Sequence, residues 1–297
     1  MNYKQIIKSQ QLRFSILRML RWVPDSIILR IQYRIKMGFW PSFKSSKRYT
    51  EKIQLYKMYY RNPIMHQCVD KYEVRNYVAN KGLEHILNEL YGVYDRFEDI
   101  DFSVLPKQFV IKTTNGGGGQ NVIVVTDKNT LDYEDLHRKL SLWVDDKNYG
   151  ALAGREWAYQ DLKPRIIVEK YLEESHGVGL SDYKLMFFNG KFRLLWVDKD
   201  RYVDHHRGFW DEDLHFLPNV YSDHATFQNP PALPSNIQEM IRIGQSLAGD
   251  FPYARIDLYN VDNKVVFGEI TFYPWSGYVK FTPDEFDFRL GSYFEKL

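Results

Sequence analysis

The chain has 297 residues, a net charge of +2, a hydrophobic fraction of 44% and a charged fraction of 26%, as expected of a globular protein with a sizeable core. Cys68 is the only cysteine, and no apolar run approaches the roughly 20 residues that span a bilayer. These features argue against a disulfide-stabilised domain and against a membrane-spanning protein.

The first 60 residues are strongly basic, with thirteen Lys and Arg residues against two acidic ones. Apolar residues recur at helical spacing on both sides of a break at Pro24, so we predict a basic amphipathic helical extension over residues 1–60. Two interpretations stay open: residues 1–40 contact an anionic membrane or an acidic polymer, or the basic residues are the outer face of packed helices.

Targeting and nucleic-acid signals are missing from the same region. Met1 to Arg13 has no uninterrupted apolar run, so we predict no signal peptide and a cytoplasmic location, with any membrane contact at the inner face. Nucleic-acid motifs are absent, so no nucleic-acid partner is expected.

Residues 61–105 are assigned to an N-terminal subdomain with a mainly helical pattern. Helices are predicted at 71–80 and 84–90. In the preceding extension, the Ser- and Lys-rich residues 39–52 are predicted to be a linker and residues 53–60 a helix.

A glycine-rich hairpin marks residues 106–175, which we assign to a central subdomain. A strand from Phe109 to Lys112 is followed by four glycines, Gly116 to Gly119, and by a second strand, Val122 to Val125. Backbone N–H groups of such a loop can cover phosphates, although this is neither a Walker A loop nor a dinucleotide fingerprint. A flexible hairpin tip is the alternative.

Residues 176–297 are assigned to a C-terminal subdomain of antiparallel strands. Strands are predicted at 183–188 and 192–197, and Asn189-Gly190 is typical of a type I′ turn between them. A helix is predicted from Ser235 to about Gly249, and in the central subdomain a helix is predicted at 131–144 and a strand at 166–169. The overall class is α+β, with antiparallel sheets in two subdomains.

The most informative segment is an acidic hairpin near the carboxyl end. Arg255 and Asp257 share a face of its first strand, and Glu269 and Thr271 share a face of its second strand. The loop between the strands is centred on Asn263. Asp257 and Glu269 then lie directly opposite each other, where like charges repel unless a cation lies between them. Two carboxylates with a hydroxyl suit Mg²⁺, and a solvated acidic hairpin is the alternative.

Together these segments resemble the ATP-grasp superfamily. Lys112 with Thr113 to Gly119, the run Val168-Glu169-Lys170-Tyr171-Leu172-Glu173, and the Asp257 and Glu269 pair are similar to its signatures and come in its order. The segments DKYEVRNYV, DYKLMFFNGK, DRYVDHHRGFW and FGEITFYPWSGYVKFTP resemble the TupA-like branch, which is associated with surface-polysaccharide biosynthesis.

The resemblance implies an ATP-grasp fold whose two antiparallel-sheet subdomains clasp ATP with Mg²⁺. It implies nucleotide contacts from Lys71, Lys112, Gly116, Gly117, Gly118, Gly119, Glu169, Lys170 and Leu172, and metal ligands from Asp257, Glu269 and Thr271. Arg255, Lys184 and Arg207 would act on the transferring phosphoryl group. Ser276 and Gly277 would contact substrate, and Arg201, His206 and Arg207 together suit a carboxylate or phosphate of the substrate. A metal pair at His205-His206 is the weaker alternative, because adjacent side chains rarely converge on one ion.

Two function classes follow. The first is an ATP-dependent carboxylate–amine ligase that forms an amide through an acyl phosphate. The resemblance implies that its carboxylate belongs to a uronic acid, or an amino-acid substituent, of a capsule, O-antigen or teichuronic-type polymer. The alternative is a glycosyltransferase-like or non-catalytic nucleotide-binding protein, for which Asp211-Glu212-Asp213 has the spacing of a metal-binding DxD motif.

Overall fold

Two antiparallel sheets organise the chain. The structure, a computed structural model, describes residues 19–116, 121–145, 154–173, 180–199 and 204–295. Over these ranges it contains seven α-helices: α1 (Asp25–Met37), α2 (Tyr49–Tyr59), α3 (Ile64–Val69), α4 (Val74–Asn80), α5 (Tyr133–Asp145), α6 (Ile237–Ala248) and α7 (Glu285–Ser292). The predicted α+β class is confirmed.

The smaller sheet has the strand order β1-β4-β2-β3, and all its pairings are antiparallel. Its strands are β1 (Leu90–Tyr94), β2 (Phe109–Thr113), β3 (Val122–Val125) and β4 (Ile166–Lys170). Phe109, Ile111, Ile166 and Val168 pack against Leu136 and Leu140 of α5 in a core of their own. The sheet therefore holds the glycine-rich hairpin, β2 and β3, on a rigid base.

The larger sheet has the order β7-β6-β5-β8-β9 and is also antiparallel. Its strands are β5 (Asp182–Phe188), β6 (Lys191–Lys199), β7 (His206–Asp211), β8 (Tyr253–Val261) and β9 (Lys264–Thr271). As predicted, Asn189 and Gly190 form the turn between β5 and β6, with φ of 49° and 71°. The second and larger core joins this sheet to residues of α2, α3, α4, α6 and α7.

Three predicted elements differ from the structure. Residues 84–90 are a 3-10 turn (Glu84–Ile86) followed by the start of β1, so the predicted helix there is wrong. Residues 39–52 are not a simple linker, because Tyr49 and Thr50 begin α2 and are fully buried. α6 begins after Asn236 rather than after Ser235. Residues 61–105, the predicted N-terminal subdomain, also contribute strand β1, which pairs with β4 of the smaller sheet.

Helix α1 has two apolar faces, one buried and one exposed. Leu29 and Tyr33 are fully buried, whereas Ile27, Ile31 and Ile35, spaced four residues apart, are 48%, 44% and 48% exposed. Across the described ranges, no helix combines the length and the apolar character that a membrane crossing requires.

Candidate functional site

The predicted pairing of Asp257 with Glu269 is confirmed, but the hairpin achieves it in an unexpected way. The turn consists of Asp262 and Asn263, both with positive φ, so uninterrupted pairing would place Asp257 opposite Gly268. Instead the register shifts after the pair formed by Leu258 and Phe267, which leaves Gly268 as the extra residue of a bulge. A Cβ at Gly268 would lie 2.9 Å from the carbonyl oxygen of Asp257, so glycine permits the bulge.

A row of candidate site residues crosses four strands of the larger sheet. Glu269 pairs with Asp257, Asp257 with Lys184, and Lys184 with Trp196, so all four lie on one face. The neighbouring row contains Asp182, its partner Asp198 and, paired with Asp198, Arg207. The sheet thus brings together residues from separate segments of the chain.

The cation between the two carboxylates is the guanidinium of Arg255. Its Nε and Nη2 donate to the two oxygens of Asp257 at 2.7 Å each, and Nη2 also reaches Glu269 Oε1 at 3.2 Å. Thr271 Oγ1 lies 3.1 Å from both Arg255 Nη2 and Glu269 Oε1. The three oxygen-bearing side chains predicted as metal ligands are therefore adjacent, and their donor set fits Mg²⁺.

Lys184 closes the other side of Asp257. Its ammonium lies 2.8 Å from Asp257 Oδ2 and also contacts the carboxylate of Asp182. Asp257 is nearly inaccessible, so its charge is balanced by Arg255 and Lys184 rather than by water.

Lys71 links this face to the glycine-rich hairpin. Its ammonium lies 3.7 Å from Glu269 Oε2 and donates to the carbonyl of Gly116, while its backbone N–H donates to Thr114 O at 2.9 Å. The hairpin and the larger sheet therefore meet at one lysine. Gly117, Gly118 and Gly119 lie outside the described residues.

The smaller sheet contributes an ion pair to the same region. Lys112 Nζ lies 2.6 Å from Glu169 Oε2, and Arg75 Nη1 lies 3.8 Å from Glu169 Oε1. Burial lowers the pKa of Lys71, and the positive charge of Lys112 lowers it further, whereas Glu269 raises it. The two lysines are thus close enough to interact, as joint binding of a phosphate chain requires.

The segment after Glu169 already uses part of its hydrogen-bonding capacity. The backbone N–H of Lys170 donates to Glu89 O at 2.9 Å, and its carbonyl accepts from Asn88 Nδ2 at 2.9 Å. A carbonyl has two lone pairs, so the oxygen of Lys170 retains one acceptor position for a ring edge. Leu172 is half-buried beside it.

Trp196 is the common surface beneath three cations. The guanidinium carbons of Arg207 and Arg255 lie 4.3 and 4.8 Å from its ring centroid, and Lys184 Nζ lies 5.7 Å away. Trp275 stacks on Trp196 with centroids 4.1 Å apart and an interplanar angle of 12°. The indole pair therefore connects the charged rows to the turn that contains Ser276.

Arg207 joins the site, whereas His206 does not. Arg207 binds Asp198 through Nε at 2.6 Å and Nη2 at 3.2 Å, and it also contacts Asp223. His206, the preceding residue of β7, faces the other way and stacks on Phe227. The grouping of His206 with Arg207 is therefore corrected.

His205, rather than His206, lies beside Asp198, the carboxylate that binds Arg207. Its Nε2 lies 3.0 Å from Asp198 Oδ1, and its ring lies 3.7 Å from that of His224. Arg201, the third member of the predicted group, lies outside the described residues.

Ser276 and Gly277 belong to a tight turn of left-handed backbone. Trp275, Ser276 and Gly277 have φ of 51°, 56° and 70°. The turn is fixed from α2, since Lys57 Nζ lies 2.7 Å from Ser276 O and 2.8 Å from Ser276 Oγ, and Gln54 Nε2 donates to Gly277 O at 3.0 Å. Such backbone persists only where neighbouring groups hold it in place.

The electrostatics of the site favour an ionised Glu269. Burial alone raises the pKa of its carboxyl, but the charges of Lys71 and Arg255 outweigh burial and hold the pKa at about 2. For Asp198, burial is likewise opposed by hydrogen bonds and charge from Arg207, which hold its pKa well below the ordinary value. Both carboxylates are therefore charged at neutral pH.

Asp211, Asp213 and His215 form a separate cluster whose ligand atoms lie within 4.8 Å of one another. Asp211 Oδ1 accepts from the backbone N–H of Asp213 at 3.1 Å and of His215 at 2.9 Å, so it stabilises a turn. Glu212 lies 3.6 Å from Arg193 and 3.8 Å from Arg289. These contacts give the Asp-Glu-Asp segment a structural role.

The sequence analysis missed several residues of the site: Gln54, Lys57 with its neighbour Glu156, Asp182, Asp198 and Asp223. One signal was available for Lys57, which follows Ile53 by four residues and so lies on the buried face of α2. The others become neighbours only through strand pairing or loop packing.

The fold and site define an ATP-grasp protein, and comparison with protein families agrees. The model of the TupA-like ATP-grasp family matches residues 51–295, so the chain belongs to that family. This confirms the predicted fold and the resemblance. No curated protein matches the chain.

Solved structures with a similar fold include three enzymes. D-alanine–D-alanine ligase from Bacillus anthracis is 18% identical, with a TM-score of 0.42, and the match covers 69% of this chain and 57% of that one. L-amino acid ligase from Bacillus licheniformis is 14% identical, with a TM-score of 0.48, and the match covers 84% of this chain and 56% of that one. N5-carboxyaminoimidazole synthetase from Staphylococcus aureus, solved with ADP, is 13% identical, with a TM-score of 0.44, and the match covers 75% of this chain and 50% of that one. The chain thus spans about half the length of these proteins.

Proposed function

We propose that the protein is an ATP- and Mg²⁺-dependent carboxylate–amine ligase that forms an amide through an acyl phosphate. The observation that carries the proposal is the meeting of Lys71, Arg255 and Lys184 around Asp257 and Glu269, with Lys71 also donating to the carbonyl of Gly116. Phosphoryl transfer depends mainly on positioning and on cations placed around the phosphates, and this arrangement supplies both.

The residues divide the work by position. Lys71 and Lys112 would hold the phosphates of ATP, and the Gly116 to Gly119 loop would cover them. Asp257, Glu269 and Thr271 would hold Mg²⁺, which neutralises phosphate charge when bound. Arg255 and Lys184, with Arg207 one row away, would stabilise negative charge on the transferring group.

For the substrate we propose a uronic acid, or an amino-acid substituent, of a surface polysaccharide, joined to the amine of an amino acid. Family membership supports this choice, together with the half-exposed Trp275 beside Arg207, because an indole face and a guanidinium suit a sugar carboxylate. Ser276 and Gly277 would contact the same substrate.

The test of the ligase is phosphate release from Mg²⁺-ATP in the presence of panels of uronates and amino acids. Release that requires one carboxylate and one amine together supports the proposal, and an amide product identified by mass spectrometry completes it. Phosphate release that ignores both substrates would refute it.

The glycosyltransferase-like alternative loses its main support, because the Asp211 to Asp213 segment stabilises its own turn. A thermal-shift comparison distinguishes the two classes. ATP, rather than a sugar nucleotide, is expected to raise the melting temperature, because a ligand that binds only the folded state stabilises it.

Contact with an anionic membrane is proposed for residues 1–40. The exposed stripe of α1, formed by Ile27, Ile31 and Ile35, is bordered by the exposed residues Arg30 and Arg34. An apolar stripe with basic edges suits the headgroup region of a bilayer that carries negative lipids. The protein would then act at the inner face of the membrane.

A further inference from the structure

Lys57 is a fully buried lysine that the phosphate site does not use. Its side chain has no exposed surface, and its ammonium is held by two atoms of one residue, Ser276 O at 2.7 Å and Ser276 Oγ at 2.8 Å. A buried lysine of this kind is costly, because burial disfavours its charged form. Its place on the substrate-facing turn therefore calls for an explanation.

The contact with Ser276 is compatible with either protonation state of Lys57. As an ammonium, Lys57 donates to both Ser276 O and Ser276 Oγ. As a neutral amine, it still donates to Ser276 O, and its lone pair accepts the hydroxyl proton of Ser276. A lysine and hydroxyl that stay paired in both states can pass a proton without rearranging the backbone.

The charged groups around Lys57 come from several elements. Glu156 Oε1 lies 3.9 Å from Lys57 Nζ, and the Tyr278 ring, on whose face Lys36 also lies, is 5.0 Å away. Arg61, two residues beyond the end of α2, donates to the Lys57 carbonyl. Burial is the main influence and lowers the pKa of Lys57 to about 7, with Glu156 opposing and Lys36 assisting.

A stack of two indoles connects this group to the phosphate site. Trp275, adjacent to Ser276, stacks on Trp196, over which the guanidinium of Arg255 lies. Ser276 is only half-buried and can face a substrate.

We propose that Lys57 and the hydroxyl of Ser276 form a relay that accepts the proton of the amine substrate. The inference rests on the proposed ligase function. An amine enters as an ammonium and must lose a proton before its nitrogen can attack.

The step balances as follows. The ammonium gives one proton to Ser276 Oγ, which passes its own proton to neutral Lys57. The nitrogen lone pair then forms the bond to the acyl-phosphate carbonyl, and the C–O bond to phosphate breaks with its electron pair. The departing phosphate takes the second proton of the nitrogen, and Lys57 returns its proton to solvent.

The experiment compares two acceptors that differ in their need for a base. With the uronate and amino acid that support phosphate release, amide formation is measured beside hydroxamate formation from hydroxylamine, which is largely unprotonated at neutral pH. Lys57→Met and Ser276→Ala are expected to lower kcat/KM for the amino acid by roughly two orders of magnitude or more, as loss of a general base does. Hydroxamate formation should fall by less than about fivefold, because hydroxylamine needs no proton acceptor before it attacks.

A pH profile gives a second readout. The wild-type rate with the amino acid should fall below an apparent pKa near 7, and this limb should be missing with hydroxylamine. Lys52→Met is the matched control, because Lys52 lies on the same helix and donates to the carbonyls of Gly291 and Phe294, away from Ser276. It should retain both activities.

Equal loss with both acceptors, in a variant whose melting temperature is unchanged, would show that Lys57 only holds the turn. Full activity in either variant would also overturn the relay. If Lys57→Met does not fold, Ser276→Ala carries the test, because it leaves Lys57 in place. A wild-type protein that forms neither amide nor hydroxamate would instead refute the ligase proposal, and the relay with it.

Discussion

Asp257 is the residue on which most of the site depends, because two cations surround it in a buried position. Sequence reasoning treats Asp257 and Glu269 as a repelling pair that a metal ion must relieve. In the structure, Arg255 lies between them and Lys184 lies behind Asp257. The carboxylates are therefore already balanced by the protein's own charges.

This balance reverses the stability effect that repulsion alone would give. Asp257→Asn should lower the free energy of unfolding by about 3 kcal/mol without any metal, because it leaves two buried cations without their counter-charge. Urea unfolding followed by circular dichroism measures the change. Asp250→Asn, which alters an exposed carboxylate, is the control and should have no measurable effect. An Asp257→Asn variant as stable as the wild type would contradict the assigned ion pairs.

Lys112 offers a test of the nucleotide site that needs no knowledge of the substrate. Lys112→Ala should weaken Mg²⁺-ATP binding by one to two orders of magnitude, since a charged hydrogen bond is worth roughly 1.5 to 3 kcal/mol. Titration calorimetry measures the affinity. Lys107→Ala removes an exposed lysine that pairs with Asp127 near the same hairpin, and its affinity should be unchanged. Equal affinities of the Lys112 and Lys107 variants would argue against the hairpin as the phosphate site.

The β8–β9 hairpin shows how an element can be predicted correctly for an incomplete reason. Symmetry about Asn263 predicts the pairing of Asp257 with Glu269, although the turn is centred between Asp262 and Asn263. The bulge at Gly268 makes up the difference. A bulge of one residue is not visible in alternation alone, because it arises from how the strands twist together.

The bulge predicts a specific sensitivity at Gly268. Gly268→Ala should destabilise the protein by roughly 1 to 3 kcal/mol, because its Cβ would meet the Asp257 carbonyl at 2.9 Å. Because the carbonyl belongs to a proposed metal ligand, Mg²⁺-ATP binding should weaken as well. Thermal unfolding and calorimetry on the same variant measure both effects. A variant with wild-type stability and affinity would show that the strand accommodates the methyl group.

Helix α1 carries the membrane proposal. Ile31→Glu should reduce co-sedimentation with phosphatidylglycerol-containing vesicles several-fold, since it places a negative charge in the centre of the exposed stripe. Ile64→Glu is the matched control, because Ile64 is equally exposed, at 46%, but lies on α3. Equal binding by the two variants, or wild-type binding that does not depend on the anionic lipid, would contradict the proposal.

At the scale of the whole molecule, the sequence predicts local elements better than their meeting points. The α+β class, the glycine-rich hairpin and the Asn189-Gly190 turn follow from patterns of a few residues. Lys57, Asp182 and Asp198 could not be assigned, because their roles depend on contacts between segments far apart in the chain. Residues 39–52 were misjudged for the same reason: Asp287 of α7 accepts from the backbone N–H and hydroxyl of Thr50, at 3.0 and 2.8 Å.

The buried state of Lys57 should affect the stability of the entire chain. Unfolded, Lys57 keeps its proton up to its ordinary pKa of 10.5, whereas in the folded protein it loses the proton near pH 7. Between these values the unfolded state binds more protons, so the free energy of unfolding rises with pH. Lys57→Met should remove this contribution, which is a few kcal/mol because each pKa unit is worth about 1.4 kcal/mol. Urea unfolding at pH 7 and pH 9.5 measures it. If the wild type and the variant differ in free energy of unfolding by the same amount at both pH values, the buried, neutral amine is contradicted.

The stacked indoles of Trp196 and Trp275 have an optical consequence. Rings 4.1 Å apart and nearly parallel couple their electronic transitions, and the cations above Trp196 perturb its emission. A ligand that draws Arg255 or Arg207 away from the ring changes the local field, and one that moves the turn at Trp275 breaks the stack. The protein therefore contains an intrinsic fluorophore pair at the junction of its proposed phosphate and substrate regions, through which occupancy can be followed without an attached label.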